Sequence, residues 1–138
     1  MKLELTSLES AILALESSSA ATAAFEATLP AHVVDTLRSG VIQNFEVAYE
    51  QSWKMMKRWV EANVSPGAVD GVTRRELFRH AAENQLIQDV NLWMIFHSAR
   101  NNSSHTYDRA TADEVYAVAE QFIPAARALL EALQARND

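Results

Sequence analysis

The sequence contains no cysteine, which excludes a disulfide framework and a thiolate metal site and removes one reason to expect a secreted protein. Glycine and proline are scarce as well, three of each in 138 residues, so few positions interrupt a regular backbone. Alanine dominates a hydrophobic fraction of 49%, and intrinsic propensity then favours helix over sheet. No alternating segment reads as a strand, and no repeat, low-complexity tract or interdomain linker stands out. Long apolar runs are missing too, and Met1-Lys2-Leu3-Glu4-Leu5 lacks the basic segment and unbroken apolar stretch of a signal peptide. These absences lead to the expectation of one all-α domain over residues 1–138, in the cytoplasm and away from the membrane, with length enough to bury a continuous core.

Positive charge is also in short supply. Twelve Lys and Arg face eighteen Asp and Glu, for a net charge of -6, which argues against sequence-blind binding to nucleic acid. The distribution is uneven, however. Between residues 51 and 80 stand Lys54, Lys57, Arg58, Arg74, Arg75 and Arg79 against Glu61, Asp70 and Glu76. A solvated helix face is the commoner meaning of such a region, and a phosphate-binding surface is the alternative.

Periodicity organises the chain into about five helices in a compact antiparallel bundle. Leu8, Ile12, Leu15 and Phe25 recur at helical intervals from Ser7 to about Ala27, before Leu29-Pro30-Ala31 interrupts them. A second, longest helix spans about Val33 to Val64 on a stripe of Leu37, Val41, Phe45, Ala48, Ser52, Met55 and Trp59, with Gly40 marking a kink, a close helix contact or a break. Ser65-Pro66-Gly67 through Gly71 is the clearest loop. Thr73-Arg74-Arg75-Glu76 has capping-box spacing for a short third helix ending near Asn84. A fourth begins near Asp89 and frays near Asn101. Thr111-Ala112-Asp113-Glu114 repeats the capping-box pattern and opens a fifth, which Pro124 should kink.

The densest chemistry lies in Arg100-Asn101-Asn102-Ser103-Ser104-His105-Thr106-Tyr107, at the end of the fourth helix. Arginine offers a permanently charged fork that suits phosphate, and histidine exchanges a proton near neutral pH. Together they can cleave RNA without a metal: the histidine takes the proton of the 2′-hydroxyl as it attacks phosphorus, and the arginine stabilises charge on the phosphoryl oxygens. Ordinary helix capping is the competing reading, with Arg100 paired to Asp108 or another carboxylate and Tyr107 partly buried. His97 lies one helical turn earlier and reads more readily as a packed histidine than as a second active-site group, and His32 and His80 have no ligand-like neighbours. Glu46, Glu50 and Lys54 follow at four-residue intervals, so Glu50 and Lys54 can form a helix ion pair. Alternatively, Glu50, Trp53 and Lys54 line a cleft for nucleotide or a partner enzyme. The row of Phe45, Tyr49, Trp53 and Met56 serves equally as core or dimer surface, and core is the commoner fate.

Three blocks of the sequence resemble the nucleotidyltransferase substrate-binding family of HEPN proteins. They are Gly40-Val41-Ile42-Gln43-Asn44-Phe45-Glu46 continuing through Ala48-Tyr49-Glu50-Gln51-Ser52-Trp53-Lys54, then Arg75-Glu76-Leu77-Phe78 with Leu86-Ile87 and Trp93, and finally Arg100-Asn101 with Ser104-His105-Thr106-Tyr107-Asp108. The last is the specific one. The resemblance implies a helical bundle that forms a homodimer and joins two motifs across the interface. It further implies a metal-independent ribonuclease, with Arg100 and His105 catalytic and Asn101 and Ser104 as supporting polar groups. No cofactor or bound catalytic metal is expected. The same resemblance implies a partner, a small nucleotidyltransferase of the MNT type, paired with this chain as antitoxin to toxin. That partner would transfer AMP from ATP to Tyr107, adding a negative phosphodiester and a bulky base beside Arg100. A noncatalytic subunit that binds substrate or nucleotide for a separate nucleotidyltransferase is the rival function on the same fold.

Overall fold

The structure is a computed structural model and describes residues 2–137. Five α-helices and one short 3₁₀ turn make up its regular elements: α1 Thr6–Phe25, α2 Ala31–Asn63, α3 Arg74–Glu83, α4 Val90–Asn102, the turn Ser103–His105, and α5 Arg109–Ala135. The described residues contain no strand, as the composition anticipates. Helix α1 packs on α2 and α5, α4 on α5 and α2, and the short α3 closes one end against α4 and α2.

Apolar periodicity explains most of these contacts. Val41, Phe45, Ala48, Tyr49, Ser52, Met55, Met56, Trp59 and Val60 form the buried face of α2. Phe122 at the middle of α5 gathers the aromatic residues around itself, its ring centroid lying 5.2 Å from Phe45, 5.5 Å from Trp93 and 5.0 Å from Phe96, all nearly edge-on. That geometry sets ring edges against ring faces and adds to the gain from burial. The aromatic stripe of α2 is therefore core at Phe45, Tyr49 and Met56, with Trp53 half-buried beside it.

Several helix boundaries differ from the expectations. Phe25 is exposed, so the apolar face of α1 ends earlier than its spacing suggests, and Thr22 closes it by bonding the Ser18 carbonyl. Helix α2 continues unbroken through Gly40, where an added Cβ would meet nothing within 4 Å, so no neighbouring helix requires glycine there. At Thr73 half of the capping box forms as read: Thr73 Oγ1 accepts from the Glu76 amide at 3.2 Å, while the Glu76 carboxylate takes the Thr73 hydroxyl proton rather than its amide. The one at Thr111 does not. Helix α5 starts three residues sooner because the Asp108 carboxylate accepts both the Thr111 amide at 3.1 Å and its hydroxyl at 2.8 Å, and a carboxylate cap wins over a threonine hydroxyl one. Helix α5 also runs through Pro124; the ring removes one amide donor, while flanking burial of Phe122 and Ala126 holds the element together. Near the two ends of the chain, the Asn137 side chain bonds both the amide and the carbonyl of Leu3, at 2.7 and 2.9 Å.

Candidate active site

Arg100 sits in the last turn of α4 and faces α2. Its Nη1 donates to Glu46 Oε2 at 3.0 Å and to Ser103 Oγ at 3.2 Å. Its Nε faces Glu50 Oε1 at 3.3 Å, an ion contact without hydrogen-bond alignment. Two carboxylates one helical turn apart thus hold one guanidinium that is 33% exposed. The partner is neither Asp108, which caps α5, nor solvent. Nη2 makes no hydrogen bond to the described residues, so its donors are open to a further acceptor.

Ser103 locks this arrangement. It is buried at the start of the 3₁₀ turn, 2.6 Å from Glu46 Oε2 and 2.7 Å from the Arg100 carbonyl. The turn carries the backbone away from α4, leaving Ser104, His105 and Tyr107 exposed. The Ser104 hydroxyl donates to the Asn101 carbonyl at 3.3 Å. The ring of His105 stands edge-on to that of Tyr107 with centroids 6.2 Å apart, and Tyr107 is 88% exposed, against the partly buried tyrosine of the capping reading. Its phenol borders a cavity of about 180 Å³ lined by Arg38, Arg109 and Tyr116 among others.

A second set of groups reaches Asn101 from the interior. The Tyr49 hydroxyl lies 2.8 Å from His97 Nδ1 and accepts from Arg74 Nη1 at 3.1 Å, while the Asn101 amide lies 3.4 Å from His97 Nε2. Burial pushes the Tyr49 phenol up to about 12 and keeps it protonated. Burial, followed by the Arg74 charge, holds His97 below its ordinary value, with Glu50 opposing. His97 is therefore a packed, hydrogen-bonded histidine. The Arg74 guanidinium also lies over the Trp53 ring, 3.7 Å from its centroid, and Trp53 Nε1 donates to Glu50 Oε2 at 3.0 Å. A closed circuit results: Arg100, Glu50, Trp53, Arg74, Tyr49, His97 and Asn101, its first and last members adjacent in the chain.

The expected residues are thus only partly gathered. Arg100, Glu50 and Trp53 are joined, Asn101 is reached through His97, and Ser104, His105 and Tyr107 stand on the exposed turn beside them. Lys54 is exposed, 5.8 Å from the Trp53 centroid, and the expected Glu50–Lys54 ion pair does not form, because Glu50 is taken by Arg100 and Trp53. Glu46, Ser103, Tyr49 and Arg74 belong to the site and were not anticipated there. The four-residue spacing of Glu46 and Glu50 was a usable signal, since it sets both carboxylates on one face; nothing in the spacing of Arg74 and Tyr49 announces their meeting.

Among the described residues, no three His, Asp or Glu side chains gather as a metal site, and no helix is long and apolar enough to cross a membrane.

Comparison with known proteins agrees with this architecture. A solved Haemophilus influenzae structure, described as revealing the fold of a substrate binding domain of a nucleotidyltransferase, superposes with a TM-score of 0.89 at 34% identity, covering 95% of this chain and 99% of that one. A curated protein from the same organism, named probable ribonuclease HepT, is 38% identical over 109 residues, 78% of this chain and 75% of that protein. The family model described as nucleotidyltransferase substrate binding protein like matches residues 3–135, and the chain belongs to that family.

Proposed function

We propose that this protein is a HEPN-type ribonuclease, the toxic member of a two-gene module, acting as a homodimer in the cytoplasm. The observation that carries the reading is the placement of Arg100: fixed by Glu46, Glu50 and Ser103 yet open at Nη2, beside a turn that exposes His105 and Tyr107. The relative named as a probable ribonuclease supports it. His105 takes the proton from a 2′-hydroxyl, whose oxygen bonds to the adjacent phosphorus. The bond to the 5′-oxygen breaks, and that leaving group takes a proton from water. The products are a 2′,3′-cyclic phosphate and a 5′-hydroxyl end. Arg100 stabilises charge on the phosphoryl oxygens, and no step requires a metal.

In the same reading the partner is a nucleotidyltransferase of the MNT type, which neutralises the ribonuclease at Tyr107. The exposed phenol oxygen attacks the α-phosphorus of ATP, pyrophosphate leaves, and the phenolic proton goes to water. The added phosphodiester occupies the anion-binding capacity of Arg100 and blocks RNA. Expression alone should arrest growth, and His105→Ala should relieve the arrest; a variant as toxic as the wild type removes His105 from the mechanism. Coexpression with the nucleotidyltransferase should add one or more AMP masses, absent from Tyr107→Phe.

A noncatalytic substrate-binding subunit is the second reading. The descriptions of the family and of the solved relative favour it. Under it Arg100 holds an anion, His105 orients it, and no RNA is cut.

A further inference from the structure

A cleft of about 480 Å³ opens between α2 and the loop that enters α3, with Trp53, Lys57, Thr73, Arg74 and His97 in its wall. Four other cavities on the surface each carry a carboxylate in their linings: Glu114, Asp89, Asp35 with Asp113, and Glu4 with Glu9. This one has two cations and no carboxylate in its wall, within a protein of net charge -6. Lys57 makes no ion pair with the described residues. Arg74 gives one donor to Tyr49 and its guanidinium carbon lies over the Trp53 ring, 3.7 Å from the centroid, so its remaining N–H groups are pre-oriented rather than free to rotate. A guanidinium plane held in this way is a stacking platform for a nucleobase as well as a phosphate donor.

From this we infer that the cleft is a subsite for single-stranded RNA, in which Lys57 and Arg74 take one phosphodiester of the strand whose scissile phosphate meets Arg100. The inference rests on the ribonuclease reading and adds where the flanking strand binds. Trp53 and Glu50 connect the two sites physically, since Glu50 contacts both Trp53 and Arg100. The local excess of cations between residues 51 and 80 thereby divides: Lys57 and Arg74 line the cleft, while Lys54, Arg58, Arg75 and Arg79 are exposed.

The decisive variant is Lys57→Gln, because Lys57 holds no other group in place. Cleavage of a short RNA by the full-length protein should show KM raised about fivefold at low salt with kcat unchanged, since a contact remote from the scissile bond binds ground and transition states alike. Affinity for the same oligonucleotide with 2′-O-methyl groups, which block cleavage, should fall in parallel, and the slope of log affinity against log salt should drop by about one. Arg74→Lys keeps the charge and loses the stacked plane; it should weaken binding of the oligonucleotide while keeping the salt slope. Unaltered KM and salt slope in Lys57→Gln, with cleavage intact, overturn the subsite and leave the ribonuclease reading standing. AMP or inorganic phosphate that binds in a Lys57-dependent manner as tightly as the oligonucleotide also overturns it, by assigning the cleft to a free nucleotide or anion. A wild type that cleaves no RNA is instead a failure of the earlier reading, seen before any variant is made.

Discussion

Ser103 has one hydroxyl proton and two acceptors within reach, Glu46 Oε2 and the Arg100 carbonyl, while its oxygen accepts from Arg100 Nη1. Whichever acceptor takes the proton, the hydroxyl joins arginine and glutamate at the point where the chain leaves α4. Ser103→Ala should therefore cost about 1 kcal/mol of stability and, by loosening the guanidinium, roughly tenfold in cleavage rate; a stable variant of full activity would show that Glu46 alone positions Arg100. His97 gives a pH signature. Its folded value lies below the ordinary 6.5, so the unfolded chain binds more protons at this site, and stability falls as pH drops below 6.5 toward the folded value. Urea midpoints at pH 7.5 and 5.5 should differ more in the wild type than in His97→Gln; equal differences would mean that other groups carry the acid sensitivity. At this scale the sequence exposed Arg100, His105 and Tyr107 because they are close along the chain. The carboxylate partners of Arg100, Glu46 and Glu50, were hidden because they lie 54 and 50 positions earlier in the chain, and only the packing of α2 on α4 delivers them.

The elements were legible where apolar spacing is strong. Helix α2 was readable almost to its ends because burial of Val41, Phe45, Ala48, Met55 and Trp59 enforces one face. Boundaries failed where two cap-forming residues compete: Asp108 and Thr111 stand three apart, and in the fold the second donates to the first. Asp108→Ala should cost about 1 kcal/mol through the lost cap and should loosen the residues just before it, including Tyr107; an unchanged melting temperature would imply that Thr111 caps in its place. In the interior of α5, Phe122→Ala removes the ring that Phe45, Trp93 and Phe96 all meet, with an expected loss of about 3–5 kcal/mol, measured by denaturant unfolding.

For the whole molecule, the all-helical class follows from composition, and the bundle from the need of each helix to cover an apolar face. Quaternary structure is a different matter, because a helix face looks the same in sequence whether a neighbouring helix or a second copy covers it. The account requires a homodimer, so light scattering should give about twice the chain mass of 15.4 kDa, and a monomer that still cleaves RNA would remove the interface from the mechanism. The most direct test of the central claim is cleavage of a broad RNA panel by purified protein in excess chelator, with Tyr107 verified unmodified by mass spectrometry, comparing the wild type with His105→Ala and Arg100→Ala. The account predicts fragments ending in 2′,3′-cyclic phosphate from the wild type and from neither variant, whereas an unmodified wild type that leaves every RNA intact would contradict it and favour the substrate-binding subunit.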